Sequence, residues 1–219
     1  MADLRQRGFH AGLRIPNDIV STLIEYAKRQ PCSSAPGDSE RFLIEQVANG
    51  HTPSGKLVAV ADVEGWPCRT AWRLAGDAKL VAVARAYLGY RPTRVALRLY
   101  WSPQSDLSDA QRRWNGQTID FHYDIEAGPT LYLYFYLSDT DRASGAHLVV
   151  AESHRAKPVW LRWASTRQRE HVVLAAYGAD NVVALEGSKG FGFFEDPACF
   201  HKVLPPVAAN RLMLQLRYS

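Results

Sequence analysis

The chain has 219 residues, of which 47 % are apolar and 22 % charged; this is enough to bury one core and excludes a disordered or fibrous chain. No apolar run approaches the roughly eighteen residues a membrane helix needs, and Met1–His10 lacks the apolar stretch of a signal peptide, so a cytoplasmic location is expected. The formal net charge is +4, with basic residues scattered apart from knots at Arg112-Arg113 and Arg167–Arg169, which argues against a nucleic-acid partner and suits a small anionic substrate.

The first 92 residues read as mostly helical and peripheral. Pro16-Asn17-Asp18 introduces a helix from about Ile19 to Arg29 with Ile19, Leu23 and Tyr26 as its apolar stripe, stopped by Pro31. Cys32–Gly37 and His51–Gly55 are turn-rich, and Lys56–Val63 has strand character. Trp66 and Trp72 suit loop or core positions. Leu80, Val81, Ala84 and Leu88 recur at helical spacing between Asp77 and a C-capping Gly89. Cys32, Cys68 and Cys199 form no CxxC pair, which excludes a zinc–thiolate site, and their odd number argues against a disulfide framework.

From Arg94 the period changes to two. Val95–Trp101, Thr118–Asp124, Thr130–Ser138, Ala146–Val150, Asn181–Leu185, Phe191–Phe194, Ala198–Leu204 and Arg211–Tyr218 all read as strands, and Ser102–Gly116 as a polar loop. In Thr130–Ser138 both faces are bulky: Leu131, Leu133, Phe135 and Leu137 oppose Tyr132, Tyr134 and Tyr136. That predicts a central strand covered on both sides. Residues 156–178, rich in Trp and Arg, read as a helical or lid-like insertion. The expectation is a single domain over 1–219, mainly β with flanking helices. Its core, residues 93–219, is expected to be a double-stranded β-helix, a jelly roll of the cupin kind.

His122-Tyr123-Asp124 is the stretch that carries chemistry. On a strand, positions i and i+2 share a face, so His122 and Asp124 stand side by side. His201 on a late strand supplies a second imidazole. Two histidines and a carboxylate make a facial triad for Fe(II), although zinc, nickel or manganese would also fit these ligands. Arg211 opens the last strand. A buried arginine there needs an anion, either an internal Asp or Glu or the carboxylate of a cosubstrate. Arg98 and Tyr100 share a face of an early strand and are further candidates for that pocket. Tyr132, Tyr134 and Tyr136 would either donate hydroxyls or simply pack.

These landmarks resemble the phytanoyl-CoA dioxygenase-like branch of the Fe(II)/2-oxoglutarate-dependent oxygenases. The likeness runs over about residues 75–218: His122-Tyr123-Asp124, Tyr132–Asp139, then Ser144–Val150 leading into Ser153-His154-Arg155, Gly190–Phe194, His201 and Arg211. Ala151-Glu152 stands where the family often has Pro-Gly. The resemblance implies His122, Asp124 and His201 as catalytic Fe(II) ligands. Arg211 would hold 2-oxoglutarate, with Arg98, Tyr100, Tyr132 and Tyr134 as lesser cosubstrate contacts. Molecular oxygen and a small-molecule substrate would be the other reactants, with release of succinate and CO2. Because Asp124 is present, oxidation such as hydroxylation is implied and not halogenation. The competing reading is a cupin-like metal-binding jelly roll, an isomerase or binding protein that does not use 2-oxoglutarate.

Overall fold

The computed structural model describes residues 2–35, 37–64, 68–115 and 117–219, so Trp66 and Gly116 lie outside the described residues. α1 (Ala2–Arg7) leads into β1 (Phe9–Arg14), α2 (Asn17–Arg29), β2 (Cys32–Ser33) and β3 (Ala61–Val63). α3 (Arg69–Ala75) and α4 (Ala78–Leu88) follow. Then come β4 (Val95–Ser102), α5 (Asp109–Trp114), β5 (Phe121–His122), β6 (Leu131–Tyr136) and β7 (His147–Val150). α6 (Val159–Arg162), β8 (Arg167–Gln168) and α7 (Glu170–Tyr177) precede β9 (Val182–Leu185), β10 (Phe191–Glu195), β11 (His201–Val203) and β12 (Arg211–Tyr218).

The strands form two antiparallel sheets. The larger has the order β1-β10-β6-β12-β4-β3-β2, the smaller β8-β5-β11-β7-β9. Alternation in β6 and β12 sets what each face does. Leu131, Leu133, Phe135, Leu212, Leu214 and Leu216 face outward into a core shared with Val20, Leu23 and Ala27 of α2, Leu74 of α3 and Ala84 of α4. Each fully buried side chain of this kind contributes about 1.5–3 kcal/mol. Tyr132, Tyr134, Tyr136 and Met213 face inward, toward Val149 and Leu185 of the smaller sheet. The far face of the smaller sheet (Phe121, Leu148, Val150, Phe200) is covered by Leu161 of α6 and Val173 of α7. This is the jelly-roll-like arrangement of two packed sheets flanked by helices.

Several expectations shift. The N-terminal third is not only helical: β1 pairs with β10, and β2 and β3 extend the opposite edge beyond β4. β3 is the end of the stretch Lys56–Val63 that has strand character, whereas β2 falls where a turn is expected, because two residues carry no readable period. The buried stripe of α2 is Val20, Leu23 and Ala27, one position round from the expected one, with Ile19 and Tyr26 on its margin. Ser102–Gly116 contains α5, closed by a reciprocal cap between Ser108 and Gln111. The strand expected over Thr118–Asp124 is only Phe121–His122. In 156–178, α6 and α7 flank β8, which pairs with β5. The helix at Ala78–Leu88 follows its capping signals: Asp77 accepts from the N–H groups of Lys79 and Leu80 at 2.9 and 3.1 Å, and Gly89 takes the left-handed φ of 83°. Among the described residues no helix is long and apolar enough to cross a membrane.

Candidate metal centre

The pairing of β5 with β11 creates the site. His122 and His201 are direct cross-strand partners, with ring centroids 4.3 Å apart. Beyond His122 the chain leaves the strand. Asp124 is held by its backbone N–H, which donates to the Pro197 carbonyl at 2.8 Å. Asp124 Oδ2 lies 4.0 Å from His201 Nε2. One ligand atom from each of His122, Asp124 and His201 falls within 4.8 Å of the others. The structure therefore brings the three sequence candidates together around one point.

Both imidazoles are oriented by the same device. His122 Nδ1 lies 3.3 Å from the Asp120 carbonyl and His201 Nδ1 3.0 Å from the Cys199 carbonyl, each two residues back along the chain. A carbonyl only accepts, so the bond requires the proton on Nδ1. Nε2 is then left with its lone pair for a metal. Burial, with His122 and His147 nearby, pushes the His201 pKa down to about 3 against the pull of Glu195, which keeps its ring neutral.

Behind His201 stands a pair that the sequence reading did not assign. Glu195 is fully buried, 3.1 Å from His201 Nδ1 and 2.7 Å from His147 Nε2. Burial raises its pKa to about 7 and lowers that of His147 to about 3. Neither Glu195 oxygen has an aligned hydrogen bond. The readable signal was the alternation of β10, in which Phe191, Phe193 and Glu195 share the inner face: a charged group on an aromatic face is out of place unless it serves something.

Arg211 is also buried. It donates from Nη1 to the Gly145 carbonyl at 2.6 Å and from Nη2 to Ser102 Oγ at 2.9 Å, and its Nε has no partner among the described residues. Among the described residues no carboxylate lies within ion-pair distance of it. The other cosubstrate candidates are engaged in different ways. Arg98 forms a two-pronged pair with Asp62 at 2.6 and 3.0 Å. Tyr100 donates to Met213 Sδ at 2.9 Å, and Tyr132 donates to Glu126. The Tyr134 hydroxyl accepts from Gln215 Nε2 at 2.9 Å, and Gln215 Oε1 has no partner among the described residues.

Ser153 and His154 have structural roles. Ser153 Oγ donates to the Val150 carbonyl at 2.7 Å and accepts from the Phe200 N–H at 2.8 Å, which seats the start of β11. His154 lies against the Arg5 carbonyl and Cys199 Sγ and lines the cavity beside Asp124, without belonging to the cluster of His122, Asp124 and His201. On the outer side of Asp124 opens a cavity of about 510 Å³, lined by residues that include Tyr123, Glu126, Lys157 and Asp196.

No family model matches the chain, and no curated protein matches it in sequence. Solved structures match it over nearly its whole length. HygX from Streptomyces hygroscopicus, with nickel, 2-oxoglutarate and hygromycin B bound, superposes with a TM-score of 0.63 at 15 % identity, over 99 % of this chain and 84 % of HygX. EvdO2 from Micromonospora carbonacea var. aurantiaca, complexed with 2-oxoglutarate, gives 0.64 at 16 %, over 99 % of this chain and 88 % of EvdO2. The non-heme alpha ketoglutarate dependent epimerase SnoN from nogalamycin biosynthesis gives 0.61 at 17 %, over 100 % and 80 %. At these identities the likeness is one of fold: this chain shares the two-sheet, helix-flanked architecture of those proteins.

Proposed function

We propose that the protein is an Fe(II)- and 2-oxoglutarate-dependent oxygenase on a double-stranded β-helix, of the phytanoyl-CoA dioxygenase-like kind. It oxidises a small molecule, with release of succinate and CO2. The observation that carries this reading is the pairing of a two-histidine, one-carboxylate cluster with a buried arginine that has no carboxylate of its own. The donor set fits Fe(II): two imidazoles and one carboxylate leave the remaining coordination positions open. The unpartnered Nε of Arg211 fits a cosubstrate carboxylate, because a buried guanidinium without an anion is costly. The fold is also one on which HygX and EvdO2 hold 2-oxoglutarate.

In this reading His122 and His201 hold the metal through Nε2 and Asp124 through a carboxylate oxygen. Iron, 2-oxoglutarate and molecular oxygen supply the oxidising chemistry. Arg211, steadied by Ser102 and the Gly145 carbonyl, holds the distal carboxylate of the cosubstrate. Tyr100 and Tyr134 wall the pocket, and Tyr136, Phe193 and Met213 keep it dry. Arg98 and Tyr132, already engaged by Asp62 and Glu126, take a lesser part.

Succinate formation from 2-oxoglutarate under air, with Fe(II) and ascorbate, tests the reading. Slow iron-dependent turnover that disappears in Asp124→Ala and Arg211→Ala is expected. Absence of turnover together with absence of 2-oxoglutarate binding to the metal-loaded protein, by calorimetry, overturns it in favour of a metal-binding jelly roll that does not use 2-oxoglutarate.

A further inference from the structure

Several cations in this protein are paired with an anion, while others, the buried Arg112 and Arg211 among them, are held by neutral acceptors. Arg41 pairs with Glu64, Lys56 with Asp38, Arg98 with Asp62, Arg113 with Asp120 and Lys202 with Glu170. Three cations on one short segment, Arg155, Lys157 and Arg162, have none among the described residues, and all three line the cavity of about 510 Å³ beside Asp124.

Their N–H groups are occupied by carbonyls instead. Lys157 Nζ donates to the Ser153 carbonyl at 2.9 Å and to the Ala198 carbonyl. Arg162 Nε donates to the Lys157 carbonyl at 3.1 Å. Arg155 reaches the Arg5 carbonyl only at 3.5 Å. Lys157 Nζ also sits 4.3 Å from the centre of the Tyr123 ring and 5.3 Å from that of Phe200. Carbonyls and ring faces satisfy donors, but they carry no net charge to balance three cations.

Two carboxylates other than Asp124 share the cavity, and neither lies within ion-pair distance of these cations, although Asp196 attracts Lys157 from farther away. Glu126 accepts from the Tyr132 hydroxyl and Asp196 from the Tyr87 hydroxyl. The acids are satisfied by neutral donors while the bases stay free. One wall of the cavity is therefore positive and unpaired, another carries a metal ligand, and its volume matches a small molecule.

We propose that the substrate is a small organic anion. Its carboxylate or phosphate is held by Arg155, Lys157 and Arg162, and the rest of the molecule extends along Tyr123 toward Asp124. The orientation toward the metal rests on the oxygenase reading; the anion site does not. Guanidinium forks suit the planar or tetrahedral oxygens of such a group, and Arg155 and Arg162 are exposed, so binding does not require them to be pulled from other anions.

Phenyl phosphate is the probe, with benzyl alcohol and phenyltrimethylammonium as neutral and cationic controls. Calorimetry on the metal-free full chain is expected to show saturable binding of phenyl phosphate alone. The double variant Arg155→Ala/Arg162→Ala should weaken it by about tenfold or more, and Arg211→Ala should leave it unchanged. Equal binding of the three probes, unaltered affinity in the double variant, or loss in Arg211→Ala instead overturns the anion site.

A second arm uses Mn(II)-loaded protein saturated with 2-oxoglutarate. Enhanced ³¹P relaxation of bound phenyl phosphate places the anion near the metal, and its absence overturns the orientation. If phenyl phosphate binds but 2-oxoglutarate does not, the oxygenase reading fails and the anion site stands.

Discussion

The two faces of the β6–β12 ribbon were built to different rules. Outward, Leu131, Leu133, Phe135, Leu212, Leu214 and Leu216 meet helices and leave nothing polar to satisfy. Inward, the same strands present Tyr132, Tyr134, Tyr136, Arg211, Met213 and Gln215 to the smaller sheet. Among the described residues seven buried polar atoms lack hydrogen bonds; five of them, His147 Nε2, both Glu195 oxygens, Arg211 Nε and Gln215 Oε1, lie in this inter-sheet layer, while Trp101 Nε1 is in the outward core and the Tyr177 hydroxyl is on the far side of the smaller sheet. A folded protein keeps few such groups, because each costs about 1–3 kcal/mol. One face holds the molecule together; the other stores unsatisfied polarity that a metal and a charged ligand would relieve.

The strongest way to break this contrast is to remove one group from each side. Asp124→Ala should lower metal affinity by about 100-fold or more and abolish any metal-dependent turnover, while the melting temperature of the metal-free protein stays near that of the parent. Leu214→Ala on the outward face should do the reverse. It should cost about 2–5 kcal/mol in urea unfolding and leave metal affinity of the folded fraction unchanged. If Asp124→Ala unfolds the protein, or if Leu214→Ala spares stability and loses the metal, the division between the faces is wrong.

A smaller effect is expected one layer behind the triad. Glu195→Gln keeps the shape but removes the carboxylate that lies between His201 and His147. Metal affinity should fall by about tenfold, because a negative charge behind the imidazole makes it a better ligand. Stability of the metal-free protein should hold or rise, since a buried carboxylate without aligned donors is a cost. Metal titration alongside urea unfolding reads both, and unchanged affinity would show that Glu195 does nothing for His201.

How much of this was legible in the sequence follows from length and period. The central ribbon was readable because β6 and β12 are long enough for alternation to show, and the cluster of His122, Asp124 and His201 because the His-x-Asp spacing and a histidine on a late strand stand out in the sequence, although Asp124 lies beyond the end of β5 and is placed by its bond to Pro197 and not by strand alternation. β2, β5 and β8 each have only two residues, so no period exists to read. Arg98 looked like a pocket residue because its face was correct; that Asp62 lies across from it depends on β3 joining β4, a contact between distant segments. Glu195 belongs to no recognisable motif, and only its place after Phe191 and Phe193 on β10 marks it as an inward charge. The free cations of 154–162 were beyond reach altogether, since a missing partner is visible only once every neighbour is placed.

The finest test of the contrast lies at the rim, where Lys157 belongs to neither face. Burial lowers its pKa from 10.5 to about 8, against the pull of Cys199 and Asp196 and with help from Arg162; the rings of Tyr123 and Phe200 complete its surroundings. Below about pH 8 the ammonium is charged in both folded and unfolded chains, and its burial cost is present in full. Between about pH 8 and 10.5 the unfolded chain binds a proton that the folded chain does not, so the unfolding free energy rises with pH through that window. Over the same range the cavity loses one positive charge, so phenyl phosphate should bind more weakly. Stability and anion affinity must therefore move in opposite directions. In Lys157→Met both pH slopes should flatten, the first by urea unfolding and the second by calorimetry at pH 7.5 and 10. Slopes that persist in the variant would assign them to other groups and take Lys157 out of the anion site.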